Sequence, residues 1–170
     1  MPIYTEENNV YKINCTNAVW STDNVHEDFV CTESCLNDVD FIIESKDKLL
    51  LVEYKNANVP NAAHPGAFNP KDDKKVKSVI KKYYDSLHYL TLVNKNKPKT
   101  YIYILEYPNG DSVTRKALRN RMKKALPFRL QSKFNTGIKL IDKFEILSIE
   151  EWNNSAEYGK YPISPIDNEF

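Results

Sequence analysis

The sequence has few cysteines, few glycines and no long apolar run. Its three cysteines are Cys15, Cys31 and Cys35, and an odd number of cysteines without a signal-peptide pattern at the start argues against a secreted, disulfide-stapled protein. No apolar run approaches the roughly 18 residues of a membrane-spanning helix. We therefore expect a cytoplasmic chain with free thiols that does not bind membranes.

Several enzyme motifs are also missing. The four glycines form neither a phosphate-cradling loop nor a dinucleotide-binding fingerprint, and there is no GxSxG sequence. No internal repeat or low-complexity tract is present. Any chemistry therefore has to come from another arrangement of side chains.

Charge is distributed unevenly along the chain, although the formal net charge is only +1. Residues 1–53 carry 3 Lys/Arg and 11 Asp/Glu, residues 54–133 carry 18 and 5, and residues 134–170 carry 3 and 7. A basic middle segment between acidic ends can bind a polyanion on one face while the whole molecule stays near neutral. The alternative is that these lysines and arginines only coat solvated helix faces.

A proline-containing segment, residues 56–70, predicts a loop that leads into a helix. Asn69 as the N-cap and Pro70 at the first helical position mark the start of this helix. Its apolar residues recur at helical spacing. They are Val76, Ile80, Tyr83, Tyr84, Leu87 and Leu90.

A strand and a second helix are predicted next. Residues 99–107 are aromatic and β-branched, as in a strand. The helix that follows has Asp111 or Ser112 as its cap and is stopped by Pro127. The residues expected to be buried in this helix include Val113, Leu118, Ala125 and Leu126.

The remaining segments complete the expected fold. Residues 138–149 predict one or two more strands, EEWNN at residues 150–154 predicts a short turn, and VYKINC at residues 10–15 is a possible strand. The order strand, strand, helix, strand, helix, strand predicts an α/β fold with a mixed central β-sheet flanked by helices.

One stretch, DFIIESKDKLLLVEYKNA at residues 40–57, contains two apolar runs that end in ionisable residues. A tight turn at residues 46–47 would pair residues whose numbers sum to 93. Asp40 then lies directly opposite Glu53, and Lys55 lies on the same face as Glu53. A shift of one residue would move Asp40 to the opposite face of the sheet from Glu53.

This pairing predicts a cation site. Directly opposed carboxylates have Cβ atoms about 4.5–5.5 Å apart, and they repel each other at the edge of an apolar core unless a cation lies between them. Two carboxylates suit Mg²⁺, which completes its octahedron with waters and phosphate oxygens. Lys55 would then hold a water or stabilise negative charge on a phosphate. The alternative is a solvated strand end at which Lys55 neutralises Asp38 and Glu53.

The stretch DFIIESKDKLLLVEYK resembles the core motif of the PD-(D/E)xK nuclease superfamily, in which an Asp begins one central strand and (D/E)xK lies on the next. The resemblance covers residues 37 to about 107, because the family also places a helix and a strand after the motif. It implies a restriction-endonuclease-like core in which Asp40, Glu53 and the carbonyl of Tyr54 bind the metal. It also implies that Lys55 is catalytic together with the two acids.

The chain departs from the family pattern at two points. Val39 stands where the name of the motif has proline. The helix that precedes the first motif strand in the family, and often supplies another glutamate, is not recognisable in the sequence. Glu33 is the nearest candidate for that glutamate, and Glu27 is the next.

Lysines on the helix after the motif are expected to bind substrate. Lys74, Lys77 and Lys81 fall mostly off the apolar stripe and could contact phosphates, which adds affinity without sequence specificity.

Other possible sites are weaker. Cys31, Cys35 and His26 lack the ligand number and spacing of a zinc site, so we expect free packing cysteines. His64 and His88 have no evident partners for a catalytic triad.

The expected function is that of a metal-dependent nuclease, endonuclease or exonuclease, which hydrolyses phosphodiester bonds of nucleic acid. DNA is the expected polymer, and Mg²⁺ or Mn²⁺ the expected cofactor. The alternative is a non-catalytic relative that keeps the fold as a nucleic-acid- or protein-binding module. A chain of 170 residues is expected to form one domain, residues 1–170, with little room for a separate recognition module. Weak specificity, or dependence on a homodimer or a partner protein, is therefore expected.

Overall fold

The computed structural model describes residues 2–58 and 69–166, and these residues form an α/β fold with two sheets. The strands are Ile3–Thr5 (β1), Tyr11–Asn14 (β2), Trp20–Thr22 (β3), Phe41–Glu44 (β4), Leu49–Asn56 (β5), Lys99–Glu106 (β6), Lys143–Leu147 (β7) and Ile163–Pro165 (β8). The helices are Val25–Cys31 (α1), Asp73–Leu92 (α2), Ser112–Lys123 (α3), Phe128–Phe134 (α4) and Ile149–Asn154 (α5).

The larger sheet is mixed, as the sequence predicts. Its strand order is β3-β4-β5-β6-β7, with antiparallel pairing from β3 to β5 and parallel pairing from β5 to β7. Parallel neighbours need a long crossover connection, and α2 lies in the connection between β5 and β6. The carboxyl ends of β5, β6 and β7 therefore lie at the same edge of the sheet.

The hairpin of β4 and β5 has the predicted register. Phe41 pairs with Val52 and Ile42 pairs with Leu51, so the numbers of paired residues sum to 93. Both strands are buried on both faces, which explains their nearly continuous apolar sequences. The observed pairing confirms the predicted register. This register is strongly specified, because a shift by one residue would move every side chain of a strand to the other face of the sheet.

Each face of the larger sheet has its own apolar core. Leu49 and Leu51 pack on one face with residues of α1, α2 and α3, whereas Leu50 and Val52 pack on the other with Trp152 of α5 and with the smaller sheet. The smaller sheet has the order β1-β2-β8. The larger sheet is thus the middle layer of three.

Helix α2 begins later than the sequence predicts. Its N-cap is Asp72, whose carboxylate accepts hydrogen bonds from the N–H groups of Lys74 and Lys75, so the prediction of Asn69 is wrong. Asn69 instead accepts a hydrogen bond from the N–H of Lys71 in the preceding turn. The predicted apolar stripe of α2 is confirmed: its members are buried or packed against the core.

Helix α3 is capped by Asp111, as one of the two predictions had it. Two residues predicted to be buried here are exposed, namely Val113 and Ala125. Leu118 lies on the buried stripe, and Val113 precedes it by five residues, which places the two about 140° apart around a helix. Ala125 follows the last residue of α3, where the helical periodicity no longer applies.

The last third of the chain differs in detail. Residues 138–149 contain one strand, β7, which agrees with the prediction of one or two strands. EEWNN belongs to a helix, α5, whose start is fixed by a capping box between Ser148 and Glu151. The possible strand VYKINC is confirmed as β2.

Several short elements have no counterpart in the sequence prediction. They are β1, β3, β8 and the two seven-residue helices α1 and α4. Most of the predicted loop at residues 56–70, and His64 with it, lies outside the described residues. Among the described helices, none combines the length and the apolar character needed to span a membrane.

Candidate active site

Two carboxylates meet where β5 extends past the start of β4. Glu53 lies in β5 one residue beyond Val52, and Asp40 directly precedes β4. Side chains alternate between the faces of a strand, so the register puts both carboxylates on the face covered by α2. Glu53 is buried, with 6 % of its surface exposed, and Asp40 is half-buried.

The backbone of β5 holds Asp40 in place. The N–H of Tyr54 donates a hydrogen bond of 2.6 Å to Oδ2 of Asp40. The N–H and C=O of one strand residue point to the same neighbouring strand, so the carbonyl of Tyr54 also points towards the side where β4 has ended. The side chain of Tyr54 packs on the opposite face of the sheet, among the residues of the second core.

Lys82 of α2 lies between the two acids. Its Nζ is 2.8 Å from Oε1 of Glu53 and 3.7 Å from Oδ1 of Asp40. Directly opposed carboxylates are expected to have a cation between them, and within the described residues this cation is the ammonium group of Lys82. Lys82 was not predicted as a site residue, although one signal was present: it lies three residues after Val79 and one before Tyr83, both buried.

Burial dominates the electrostatics of the acid pair. Loss of hydration raises the pKa of Glu53 well above its ordinary value of 4.5, the charge of Asp40 raises it further, and Lys82 lowers it. Burial also raises the pKa of Asp40, against the opposing effects of Lys82 and the N–H of Tyr54. One lysine therefore does not fully compensate two buried carboxylates.

The pKa of Lys82 shifts in the direction that keeps it charged. Burial alone would lower this pKa, but the attraction of Glu53 and Asp40 outweighs burial and raises it above 10.5. Two carboxylates thus outweigh the loss of hydration at Lys82, whereas one lysine does not outweigh it at Glu53, which is the more deeply buried partner. The site favours positive charge.

One oxygen of the acid pair is left without a partner. Oε2 of Glu53 is buried and has no hydrogen-bond partner within the part of the chain that the structure describes. A buried polar atom in this condition costs about 1–3 kcal/mol unless something pairs with it. A cation bound to this carboxylate would supply the missing partner.

Lys55 lies on the same face of β5 as Glu53 but does not pair with it. Within residues 2–58 and 69–166, Lys55 has no hydrogen-bond or ion-pair partner. The predicted contact between Lys55 and Asp38 is not formed, because Asp38 instead pairs with Nδ1 of His26 at 3.1 Å. Lys55 therefore remains directed to the cleft that it lines.

Beside the acid pair lies a cleft of about 530 Å³, which Asp40 and Lys82 line and the more deeply buried Glu53 does not. The charged residues that line it include five acids and two lysines. They are Glu6, Glu7, Asp23, Asp38, Asp40, Lys55 and Lys82. Three of these acids lie in the segment of the chain before α1, namely Glu6, Glu7 and Asp23. No sequence pattern links them to the acid pair. Because carboxylates outnumber lysines here, a phosphate would be repelled without an added cation.

A second cavity of about 590 Å³ lies beyond Asn56, which lines both cavities. Its charged residues are Glu106 and Glu150, and Oε1 of Glu106 already accepts a hydrogen bond from the N–H of Ile149. Among the described residues that line it there is no lysine near a carboxylate pair, so the smaller cleft is the candidate site.

The donor set fits Mg²⁺ better than zinc. Among the described residues no three His, Cys, Asp or Glu side chains are arranged to hold a metal ion. Mg²⁺ is commonly bound by only one or two carboxylates, with waters and substrate phosphates filling the other positions. Asp40, Glu53 and the carbonyl of Tyr54 match that pattern.

The two candidates for an additional glutamate ligand are surface residues and not part of this cleft. Glu27 lies on the exposed side of α1, and Glu33 is exposed just after it, with a φ of 53°. Neither residue lines the cleft around Asp40.

The predicted substrate-binding lysines are on the exposed side of α2. Lys74, Lys77 and Lys81 are all exposed, and Lys81 forms an ion pair of 3.7 Å with Asp85. None of the three lines the cleft. They extend the basic surface of α2 without contacting the acid pair.

The weaker candidates form no site. Cys31 and Cys35 are free but exposed, so the expectation that they pack in the core is wrong for these two. Cys15 is free and buried. His88 is exposed on α2, and His26 contacts Asp38 instead of either cysteine.

Comparison with known proteins gives no further guide to this geometry: no family model, no curated protein and no solved structure matches the chain.

Proposed function

We propose that this protein is a metal-dependent nuclease that hydrolyses phosphodiester bonds of nucleic acid, with DNA as the expected polymer, and that its core is restriction-endonuclease-like. The observation that carries the proposal is the acid pair of Asp40 and Glu53 beside Lys55. Among the described residues, Oε2 of the buried Glu53 has no hydrogen-bond partner and Lys55 has no ion-pair partner. Stability alone does not call for such an arrangement, because a buried carboxylate without full compensation is destabilising.

In this proposal Asp40, Glu53 and the carbonyl of Tyr54 hold Mg²⁺ or Mn²⁺. The chemistry that such a cation supplies is polarisation of a phosphoryl oxygen and a lowered pKa for water. Lys55 contributes its Nζ as a hydrogen-bond donor to the attacking water or to a phosphate oxygen, where negative charge builds up. Lys74, Lys77 and Lys81 bind the backbone of the polymer outside the cleft.

The test is a cleavage assay on plasmid, linear duplex, single-stranded DNA and RNA, with Mg²⁺, Mn²⁺ or EDTA. The native protein is compared with Glu53→Gln, Lys55→Ala and the control Lys46→Ala, which removes an exposed lysine from the turn at the far end of β5. We expect Glu53→Gln and Lys55→Ala each to lower the rate by about a hundredfold or more, the usual effect of losing one charge-stabilising group. Lys46→Ala should cut like the native protein.

A protein that never cuts, or a Lys55→Ala variant that cuts at the native rate, would contradict the proposal. Products from a circular substrate would identify an endonuclease, whereas cutting of linear substrates alone would identify an exonuclease.

The second candidate function is a non-catalytic module that binds nucleic acid or protein. One observation favours it: Lys82 already forms an ion pair with Glu53, and the described residues supply no third acid to the pair. Metal binding separates the two candidates, since a bare binding module should show no rise in melting temperature with Mg²⁺ or Mn²⁺.

A further inference from the structure

Lys82 occupies the region between the two carboxylates of the candidate metal site. Its Nζ lies within 2.8 Å of Glu53 and 3.7 Å of Asp40, so it contacts both groups that a shared cation would contact. We propose that Lys82 is a built-in competitor of the metal, whose ammonium group holds the acid pair in the metal-free protein and leaves Glu53 when a divalent cation binds. This inference rests on the proposed function, because it takes Asp40 and Glu53 as metal ligands.

A bound metal ion and Lys82 would both carry positive charge at the acid pair. A divalent cation bound by both carboxylates would lie within a few ångströms of the ammonium group, in a site where burial weakens the screening by water. Two cations that close repel strongly. The metal and the ammonium group of Lys82 therefore cannot both occupy their preferred positions.

The side chain of Lys82 has room to move away from Glu53. Lys82 is on a four-carbon stem, about a quarter of its side chain is exposed, and it lines the open cleft. Asp38 lines the same cleft and offers another carboxylate for the displaced ammonium group. Displacement therefore requires a change of side-chain rotamer in Lys82 and no movement of α2.

In the metal-free protein, Lys82 reduces the repulsion between Asp40 and Glu53. Without a cation, the charges of Asp40 and Glu53 would repel each other at the edge of the core. The bridge from α2 reduces this repulsion and keeps the two side chains together. Lys82 is thus a positioning residue that prepares the acid pair and also weakens its affinity for metal.

The experiment measures Mn²⁺ binding by isothermal titration calorimetry at one fixed pH of about 8.5, without substrate. The variants are Lys82→Met, which keeps the length of the side chain without its charge, and Lys82→Gln, which can still donate a hydrogen bond to Glu53. Lys75→Met is the matched control, because it removes the charge of an exposed lysine on the same helix. Thermal unfolding in EDTA checks that each variant is folded.

We expect Lys82→Met and Lys82→Gln to bind Mn²⁺ about tenfold to a hundredfold more tightly than the native protein, the factor that corresponds to one hydrogen bond between charged groups. Lys75→Met should bind Mn²⁺ like the native protein. Lys82→Arg keeps a cation in place and should not gain affinity.

Two failures are distinguishable. If the native protein binds Mn²⁺ through Glu53 but the folded Lys82 variants bind no more tightly, the competitor role is wrong and the metal site stands. If neither the native protein nor any folded Lys82 variant binds Mn²⁺, the proposed function falls and this inference falls with it.

Discussion

At the scale of single residues, two buried glutamates on neighbouring strands have opposite electrostatic environments. Glu44 ends β4 and forms ion pairs with Lys95 at 2.5 Å and Lys97 at 2.9 Å, and these lower its pKa below 4.5. Glu53 of β5 has the reverse shift, because burial raises its pKa and Lys82 compensates only in part. The first glutamate stabilises the fold when it is ionised, and the second destabilises it.

The two glutamates should therefore respond to pH in opposite ways. Glu44 contributes stability above its unfolded pKa of about 4.5, and this contribution is lost as the pH falls through its lower folded pKa. Glu44→Gln should then cost about 1.5–3 kcal/mol at pH 7 and much less in acid. Ionisation of Glu53 lowers the free energy of unfolding of the protein as the pH rises from 4.5 through the raised folded pKa of this residue. Glu53→Gln should therefore melt higher than the native protein at pH 8 in EDTA.

Thermal unfolding of both variants from pH 4 to pH 8 checks this prediction. A Glu53→Gln variant that melts below the native protein at pH 8 would show that Lys82 compensates Glu53 completely, contrary to the raised pKa.

The three cysteines should differ in reactivity. Burial raises the pKa of Cys15 to about 12, whereas Cys31 and Cys35 are exposed. We expect a thiol reagent to modify two cysteines rapidly in the native protein and the third only in denaturant. Mass spectrometry of the labelled peptides identifies them, and rapid labelling of Cys15 would contradict its burial.

At the scale of elements, the start of α2 is set by Asp72. Asp72→Ala should lower the free energy of unfolding by about 1 kcal/mol, because two N–H groups of the first turn lose their acceptor. Asn69→Ala is the comparison, and it should cost less, since Asn69 accepts a hydrogen bond only from a turn. Denaturant unfolding measures both, and an equal or larger cost for Asn69→Ala would restore the sequence-based assignment.

The elements that could be predicted are those with long, regular patterns. The hairpin of β4 and β5 follows from two apolar runs around a short turn, and its register brings Asp40 and Glu53 together. Strands of three residues, such as β1 and β8, are too short to show alternation. Lys82 is joined to Glu53 by a contact across 29 residues of sequence, which no local pattern reveals.

At the scale of the whole molecule, the proposed function assigns metal binding to the acidic cleft and binding of the nucleic-acid backbone to the basic side of α2. Charge reversal by Lys74→Glu or Lys77→Glu should weaken nucleic-acid binding and reduce the slope of log K against log salt by about 0.9 for each phosphate contact that is lost. Lys46→Glu is the control with the same change of charge in the turn between β4 and β5. Fluorescence anisotropy at several salt concentrations gives the slopes, and equal slopes for all three variants would exclude α2 as the binding surface.

The smaller sheet joins distant parts of the chain, since Ile13 of β2 pairs with Ile163 of β8. On a ribosome that adds about 5–20 residues per second, β2 emerges roughly eight to thirty seconds before its partner. Glu6 and Glu7, which line the cleft, lie in the turn between β1 and β2. During synthesis, the segment of β1 and β2 with Glu6 and Glu7 is therefore available before β7 completes the larger sheet. That sheet carries Asp40 and Lys55 on the other side of the cleft.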